Sequence, residues 1–559
     1  MRLFGFLSRV FKSYSGFDKF LTIFGILILL ITPLKMYFFP YGMFGFGEAT
    51  VYTEGIVSQN GFQNLNPLFV EYNEADREVS KLLFSGLLKY DPEKRTIVED
   101  MANISLDESR TTYTVVLMDG LYWSDGEPIT IDDVYFTFHD IILDESFPNK
   151  VLKANFSGIN IEKIDNKSLK FVLDKPNIFF LTNLTVGLLP KHIMEGVDPF
   201  NILQHDFNKI PVSSGPYKMM DVVEKFDDGR MQITLERNEY YHGDPVKMDF
   251  FRIISFNSMD QLLLNINSLN AVVKVYDKYI TDFISMKRFD LLSYELPQYS
   301  AIFMNMESAI LSDKKVRFAL LKSVDKQKML AGFSDKKPVD TPLMELKQED
   351  WAYQLNLDEA NKSLDEAQYT YKKDDTEKTG IRYGKENDAL ELKLIVRAYE
   401  EGTLKYLEIN RIVSYLIESW AKIGVDVQVE FLPTGEFEER IMQRDYDLLF
   451  VGQSLGYNLD TYSYWHSSQS DPMGQNLSNY KSFAIDALIE DIRVTFDIEK
   501  REKKLRELGE LIKNDIPAIF LYRPVYYYAS DGKVEGISTD GIVFSSDRFY
   551  NISQWHFVN

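Results

Sequence analysis

The strongest hydrophobic signal in the chain is a continuous run, not a periodic one. From Phe20 to Leu34 only Thr22 and Thr32 interrupt apolar character, and the run resumes after Lys35 with Met36, Tyr37, Phe38 and Phe39. About 20 such residues in a helix cross the ~30 Å of a bilayer's hydrocarbon core. Arg2, Arg9, Lys12 and Lys19 precede the run, so the bias of basic residues leaves 1–19 in the cytoplasm and sends the remainder outward. Lys35, Tyr37 and Tyr41 fall where a lysine snorkels and rings anchor at the outer interface. No A-x-A pattern follows, and the small pair Gly45 and Gly47 lies far from the apolar core. Residues 20–41 are therefore expected as an uncleaved single-pass anchor, not a signal peptide.

Past the anchor the pattern becomes periodic. Ala49 to Val57 predicts a strand and Asn60 to Pro67 a loop, while Val79, Leu82, Leu83 and Leu87 predict a helix over Glu74–Leu88. Thr111–Leu117 reads as a strand, and Thr130 with Asp133 three positions on predicts a capped helix start. Strands are expected to dominate Leu169–Arg237, with a hairpin tip at Asp227-Asp228-Gly229. Residues 369–388 form a polar interruption. Then strand Leu390–Val396, helix Lys405–Lys422, strand Val425–Phe431, helix Glu436–Arg444 and strand Tyr446–Val451 alternate, which implies a mixed α/β sheet. A helix Asp486–Lys513, a strand Ile516–Leu521 and a β-rich tail close a large α/β globule of two or more lobes.

Composition acts mainly by exclusion. The net charge of −22 repels phosphate backbones and argues against nucleic-acid binding. With no cysteine there is no disulfide, thiolate metal site, cysteine nucleophile or lipidated cysteine. His139, His192, His205, His242, His466 and His556 lie far apart without ligand spacing, so neither a metal nor a cofactor is expected. G-x-S-x-G, H-E-x-x-H and the phosphate-binding G-x-x-x-x-G-K-[ST] are absent. The acid pairs Asp132-Asp133, Asp227-Asp228 and Glu438-Glu439 point their side chains apart and read as caps and solvated faces. Aromatic residues make up 14%, so after the core is filled some rings remain to line a ligand cavity.

An ordered set of short motifs carries a resemblance. It comprises Asn64-Leu65-Asn66-Pro67 with Leu83-Phe84-Ser85-Gly86-Leu87, Leu121 to Pro128 followed by Asp132-Asp133-Val134, and Ser214-Gly215-Pro216-Tyr217 followed by Glu236 to Tyr241. Phe303-Met304-Asn305, Val316 to Leu320, Gly424-Val425, Asp445-Tyr446-Asp447 and Pro524 to Tyr528 continue it. Together they resemble the extracytoplasmic solute-binding proteins of peptide and nickel ABC importers, bacterial solute-binding protein family 5. Within the most specific run, Trp123, Asp125 and Gly126 read as structural, a core ring beside a turn.

The resemblance implies an α/β, two-lobed, periplasmic-binding-protein-like clamp of type II, with an extra subdomain on lobe I, to which the apolar run adds one N-terminal transmembrane helix. On that pattern lobe I takes 48–75, the extra subdomain 76–185, then 186–300 and a return at 527–559, and lobe II takes 301–526. It implies a non-enzymatic, monomeric, membrane-tethered extracytoplasmic binder that delivers a peptide-like ligand to the permease subunits of an ABC importer. Its tether does the job of a lipid anchor. A non-peptide solute such as a sugar or cell-wall fragment, an importer-free sensor, and a surface hydrolase with carboxylates converged from distant segments are the alternatives.

The ligand residues implied are Phe62, Gln63 and Asn64 on one side and Ser454, Leu455, Gly456, Tyr457, Asn458 and Asp460 on the other, with Thr434 in a side-chain pocket. The resemblance further implies that in these segments a peptide ligand's backbone pairs with the protein as an added strand. Two departures stand out. The aspartate that clamps a peptide ammonium in the family falls on Gly456, and an aromatic pocket wall falls on Thr434. Either Asp460 replaces the lost acid from a shifted loop, or the ligand lacks a free α-amine.

Overall fold

The computed structural model describes residues 49–558 apart from 71–72, 277, 345, 347–352, 458–459 and 473. The expected cytoplasmic segment 1–19, the anchor 20–41 and the site residue Asn458 lie outside the described residues. Among the described residues no helix is long and apolar enough to cross a membrane.

One long strand joins two halves. In the first, β1 (Val51–Val57) runs parallel to β2 (Phe250–Phe256) on one side and to β3 (Ala271–Val275) on the other, and helix α1 (Glu74–Leu83) follows the loop after β1. β4 (Asp290–Glu295) ends this half, and Leu296-Pro297 leads directly into β5 (Gln298–Met304) of the second. There β6 (Glu391–Arg397), α2 (Leu404–Ala421), β7 (Asp426–Leu432), α3 (Thr434–Gln443) and β8 (Leu448–Ser454) follow in the alternating order expected. β6 is parallel to both β7 and β8. The final long strand β9 (Ala518–Ser530) pairs with β5 through Tyr522 and with β4 from Val525 onward, so the chain crosses back within it. Two crossings side by side in one sheet make a hinge.

Hydrophobic alternation explains why the second half is closed on both faces. Along β5, Ile302 and Met304 enter one core with Leu394 and Trp420, whereas Ala301 and Phe303 enter another with Leu449 and Trp465. A strand buried on both faces reads as an unbroken apolar run, as 301–304 does. In the first half an antiparallel four-stranded sheet, ordered 102–106, 112–117, 168–173, 159–163, forms a subdomain that shares its core with β1 and β2. The C-terminal turn Ser545–Gln554 is tied to that core by Arg548, which pairs with Glu54 on β1 and Glu78 on α1, all three fully buried.

Some expectations need correction. The helix from Glu74 stops at Leu83 and not Leu88, because the Leu83 carbonyl accepts the amides of Ser214 and Gly215 at 2.9 and 2.8 Å. Gly215 packs so closely there that a Cβ would meet the Leu82 carbonyl at 2.6 Å. The helix predicted over 486–513 is two, Phe483–Arg493 and Ile498–Asp515, the second started by the Asp497 side chain accepting from Lys500 N. Between Ile178 and Asn208 short helical turns replace strands, and Ser545–Gln554 is a 3-10 helix where a β-rich tail was expected. Thr130 and Asp133 form the capping box, and Trp123 is fully buried beside the turn closed by Gly126 at φ +92°.

Candidate ligand-binding cleft

In open parallel sheets ligands bind beyond the carboxyl ends of the strands. In the second half the carboxyl ends of β6, β7 and β8 lie on one edge, and in the first half those of β1, β2 and β3 do. The loop 58–66 leaves β1 at that edge; residues 454–457 leave β8 and Thr434 follows β7 at theirs. The halves also touch. Leu404 at the start of α2 packs against the first-half cluster around Phe256 and Phe283, Phe179 of the subdomain packs on the second-half core, and the Arg110 guanidinium lies 4.8 Å over the Phe496 ring. A cleft thus runs between the two loop sets, with the hinge strands as its floor.

On the first lobe, Gly61 takes φ +57° and its carbonyl accepts from Asn73 Nδ2 at 2.7 Å. The next turn is fixed from below by Asp76 on α1, which is 2% exposed. Its Oδ1 accepts Gln63 N at 2.8 Å and its Oδ2 accepts Asn64 N at 3.0 Å. Burial raises the Asp76 pKa to about 6, against the pull of these amides and of the Asn73 side chain. Phe62 is buried, Gln63 exposed and Asn64 half-buried.

On the second lobe, Ser454 is the last residue of β8, paired opposite Gln298. Leu455 is buried and donates its amide to the Pro297 carbonyl at 2.8 Å, and Gly456 sits at φ +69° with open space where a Cβ would stand. Tyr457 does not stay on its own lobe. Its hydroxyl donates to Asp547 Oδ1 at 2.7 Å on the first. Asp460 is held by Arg493 of its own lobe at 3.3 Å and accepts Tyr462 N; burial raises its pKa despite the arginine. Thr434 is exposed in the first turn of α3, on the edge strand's side of the sheet, two strand spacings from β8.

Sequence reasoning passed over the floor. Lys274, at φ +63° in the irregularity between Val272 and Val275, donates to Glu74 at 2.7 Å and lies 4.6 Å over the Tyr526 ring of the hinge strand. Burial alone would lower the lysine, but the Glu74 carboxylate outweighs it and the pKa rises; Glu74 is lowered in turn, its burial overcome by the same lysine. From the second lobe Lys405 pairs with Glu408 at 2.9 Å, and Glu408 accepts from the Tyr522 hydroxyl at 3.1 Å. Each lysine of the floor is thus paired with a glutamate and sits near a hinge-strand tyrosine, Lys274 and Glu74 by Tyr526, Lys405 and Glu408 by Tyr522. Among the described residues no group of His, Asp and Glu is arranged to hold a metal ion.

Two α/β lobes on a double hinge, with strand ends turned to a common cleft, define the binding-protein clamp. Residues 96–475 match the profile of the middle part of the bacterial extracellular solute-binding proteins, family 5, and the chain belongs to that family. Over 510 residues it is 24% identical to the oligopeptide-binding protein AppA of Bacillus subtilis, spanning 86% of this chain and 88% of that protein. The structure of that AppA in complex with a nonapeptide superposes with a TM-score of 0.71, at 22% identity, covering 92% of this chain and all of the other. NikZ from Campylobacter jejuni in complex with Ni(L-His) gives 0.72 at 24% identity, over 90% of this chain and 99% of NikZ.

Proposed function

We propose that this chain is a membrane-tethered, monomeric binding protein that encloses a peptide-like ligand between its lobes and hands it, chemically unaltered, to the permease subunits of an ABC importer. What supports the reading is that Phe62–Asn64 follow β1 and Ser454–Gly456 end and follow β8, each at the carboxyl edge of its own lobe's parallel strands. With the amides of Gln63 and Asn64 spent on Asp76, the first-lobe loop meets a ligand backbone with carbonyl acceptors, which suits the N–H groups of an extended peptide. Related proteins named for oligopeptides and dipeptides support the ligand class. The apolar segment 20–41 supplies the tether, with the lobes on the extracytoplasmic side. Catalysis has no part in this reading, since binding and hinge motion suffice.

A peptide library incubated with the purified chain tests it. Bound peptides recovered at their original masses are expected; shortened products, or no retained peptide, would contradict it.

One observation favours a narrower second reading, in which the ligand carries no free α-amine. Gly456 offers no acid, and Asp460 is already paired with Arg493. Asp460→Asn then leaves the affinity for amine-bearing and amine-blocked peptides in the same ratio. A selective loss of the amine-bearing ones, on the order of 30-fold or more, would instead make Asp460 the amine's partner.

A further inference from the structure

Tyr457 follows immediately on the segment that meets the ligand, yet its ring is seated in the other lobe. There it stacks on Tyr90 with ring centroids 4.8 Å apart and meets the Phe544 ring edge-on at 5.0 Å. The seat is built from first-lobe residues that also bond to one another. Tyr90, on the strand Leu88–Asp91, donates its hydroxyl to the Gly541 carbonyl at 2.9 Å, and Arg77 of α1 lies 4.6 Å over the Phe544 ring. Asp547 is fully buried, and its second oxygen accepts the amides of Val543 and Phe544 at 3.1 and 2.8 Å. Lys81 of α1 lies 3.6 Å from the oxygen that accepts the phenol. The carboxylate is thus aimed by two backbone bonds before the phenol arrives. Burial and Asp547 both hold the Tyr457 hydroxyl protonated, so it remains a donor.

We propose that Tyr457 is a specificity-determining bolt: seated between Tyr90, Phe544 and Asp547, it fastens the lobes together and walls off one end of the cleft, so that ligands are sized against it. The step from seat to wall is steric. A ligand extended alongside Ser454–Gly456 and continuing past Gly456 meets a side chain that spans the gap between lobes. Because the contact is direct, the lobes also stay closed for part of the time without ligand. The sizing half of this inference rests on the proposed peptide-like ligand; the fastening half does not.

The chain has no cysteine, so nitroxide pairs can be placed at will. Glu108→Cys and Glu499→Cys put labels on exposed positions of the subdomain and the second lobe, near the Arg110–Phe496 contact. Double electron–electron resonance on the full-length chain in detergent, without ligand, should show a short-distance population. Tyr457→Phe, which loses only the bond to Asp547, should lower the closed-to-open ratio roughly tenfold. Tyr457→Ala should lower it further, while the thermal midpoint stays near that of the unsubstituted chain. In parallel, a ladder of peptides of increasing length should show Tyr457→Ala retaining lengths that the unsubstituted chain rejects. Identical distance distributions for all three chains, or the same upper length limit in Tyr457→Ala, would overturn the proposal. If the unsubstituted chain retains no peptide of any length, the peptide reading fails, and the ligand-free distances still decide whether Tyr457 fastens the lobes.

Discussion

Asp76 is an acid in the first turn of a helix, the place where a sequence reader expects a solvated carboxylate complementing the helix dipole. Its role as the anchor of the loop after β1 depends on Gln63 and Asn64 folding back onto α1, which no local pattern announces. That is why it was not legible. Its folded pKa of about 6 stands above the unfolded value near 3.8, so the folded protein holds the proton more tightly. Stability from this group is full below the unfolded pKa and is lost as pH rises through the folded one. The unsubstituted chain should therefore lose about 2 kcal/mol relative to Asp76→Asn between pH 4 and pH 7. Denaturant titrations of both chains across that range check it, and parallel pH profiles would contradict it. Arg548 poses a different risk. Arg548→Met strands Glu54 and Glu78 in the core and should cost about 3–5 kcal/mol, read as a lowered denaturation midpoint.

At the scale of elements, what the sequence announced well was what periodicity and caps determine. The alternating unit from β6 to β8 appears within a few residues of its expected bounds, because its strands are apolar runs and Gly424 ends its first helix at φ +78°. The misses arose where tertiary contacts overrode a continuing pattern. Leu87 keeps the helical period of α1, but Ser214 and Gly215 take the Leu83 carbonyl and turn the chain away. The pair of helices at 483–515 was merged because apolar positions continue through the break. The stop is written only in Asp497, which reads equally well as one more exposed acid on a charged helix. Asp497→Ala should cost about 1 kcal/mol and be felt first at the start of the second helix, as faster amide exchange over 498–502. Unchanged exchange there would show that packing of the helix pair, not the cap, sets the boundary.

For the molecule as a whole, the two α/β lobes and the double crossing between them were foreseeable from an ordered set of motifs, none of them decisive alone. The closed contact between lobes was not, because Tyr457, Tyr90 and Asp547 are scattered over more than four hundred positions and none carries a local signal. The paired charges of the floor, Lys274 with Glu74 and Lys405 with Glu408, were hidden for the same reason. The central claim is that one ligand is held by both lobes at once. Peptides carrying a benzophenone at successive positions, photolysed on the full chain and mapped by mass spectrometry, test it most directly. Adducts on both the 61–66 loop and the 453–457 segment are predicted, with the rest of the peptide intact; adducts confined to one lobe or to its outer surface would contradict the account.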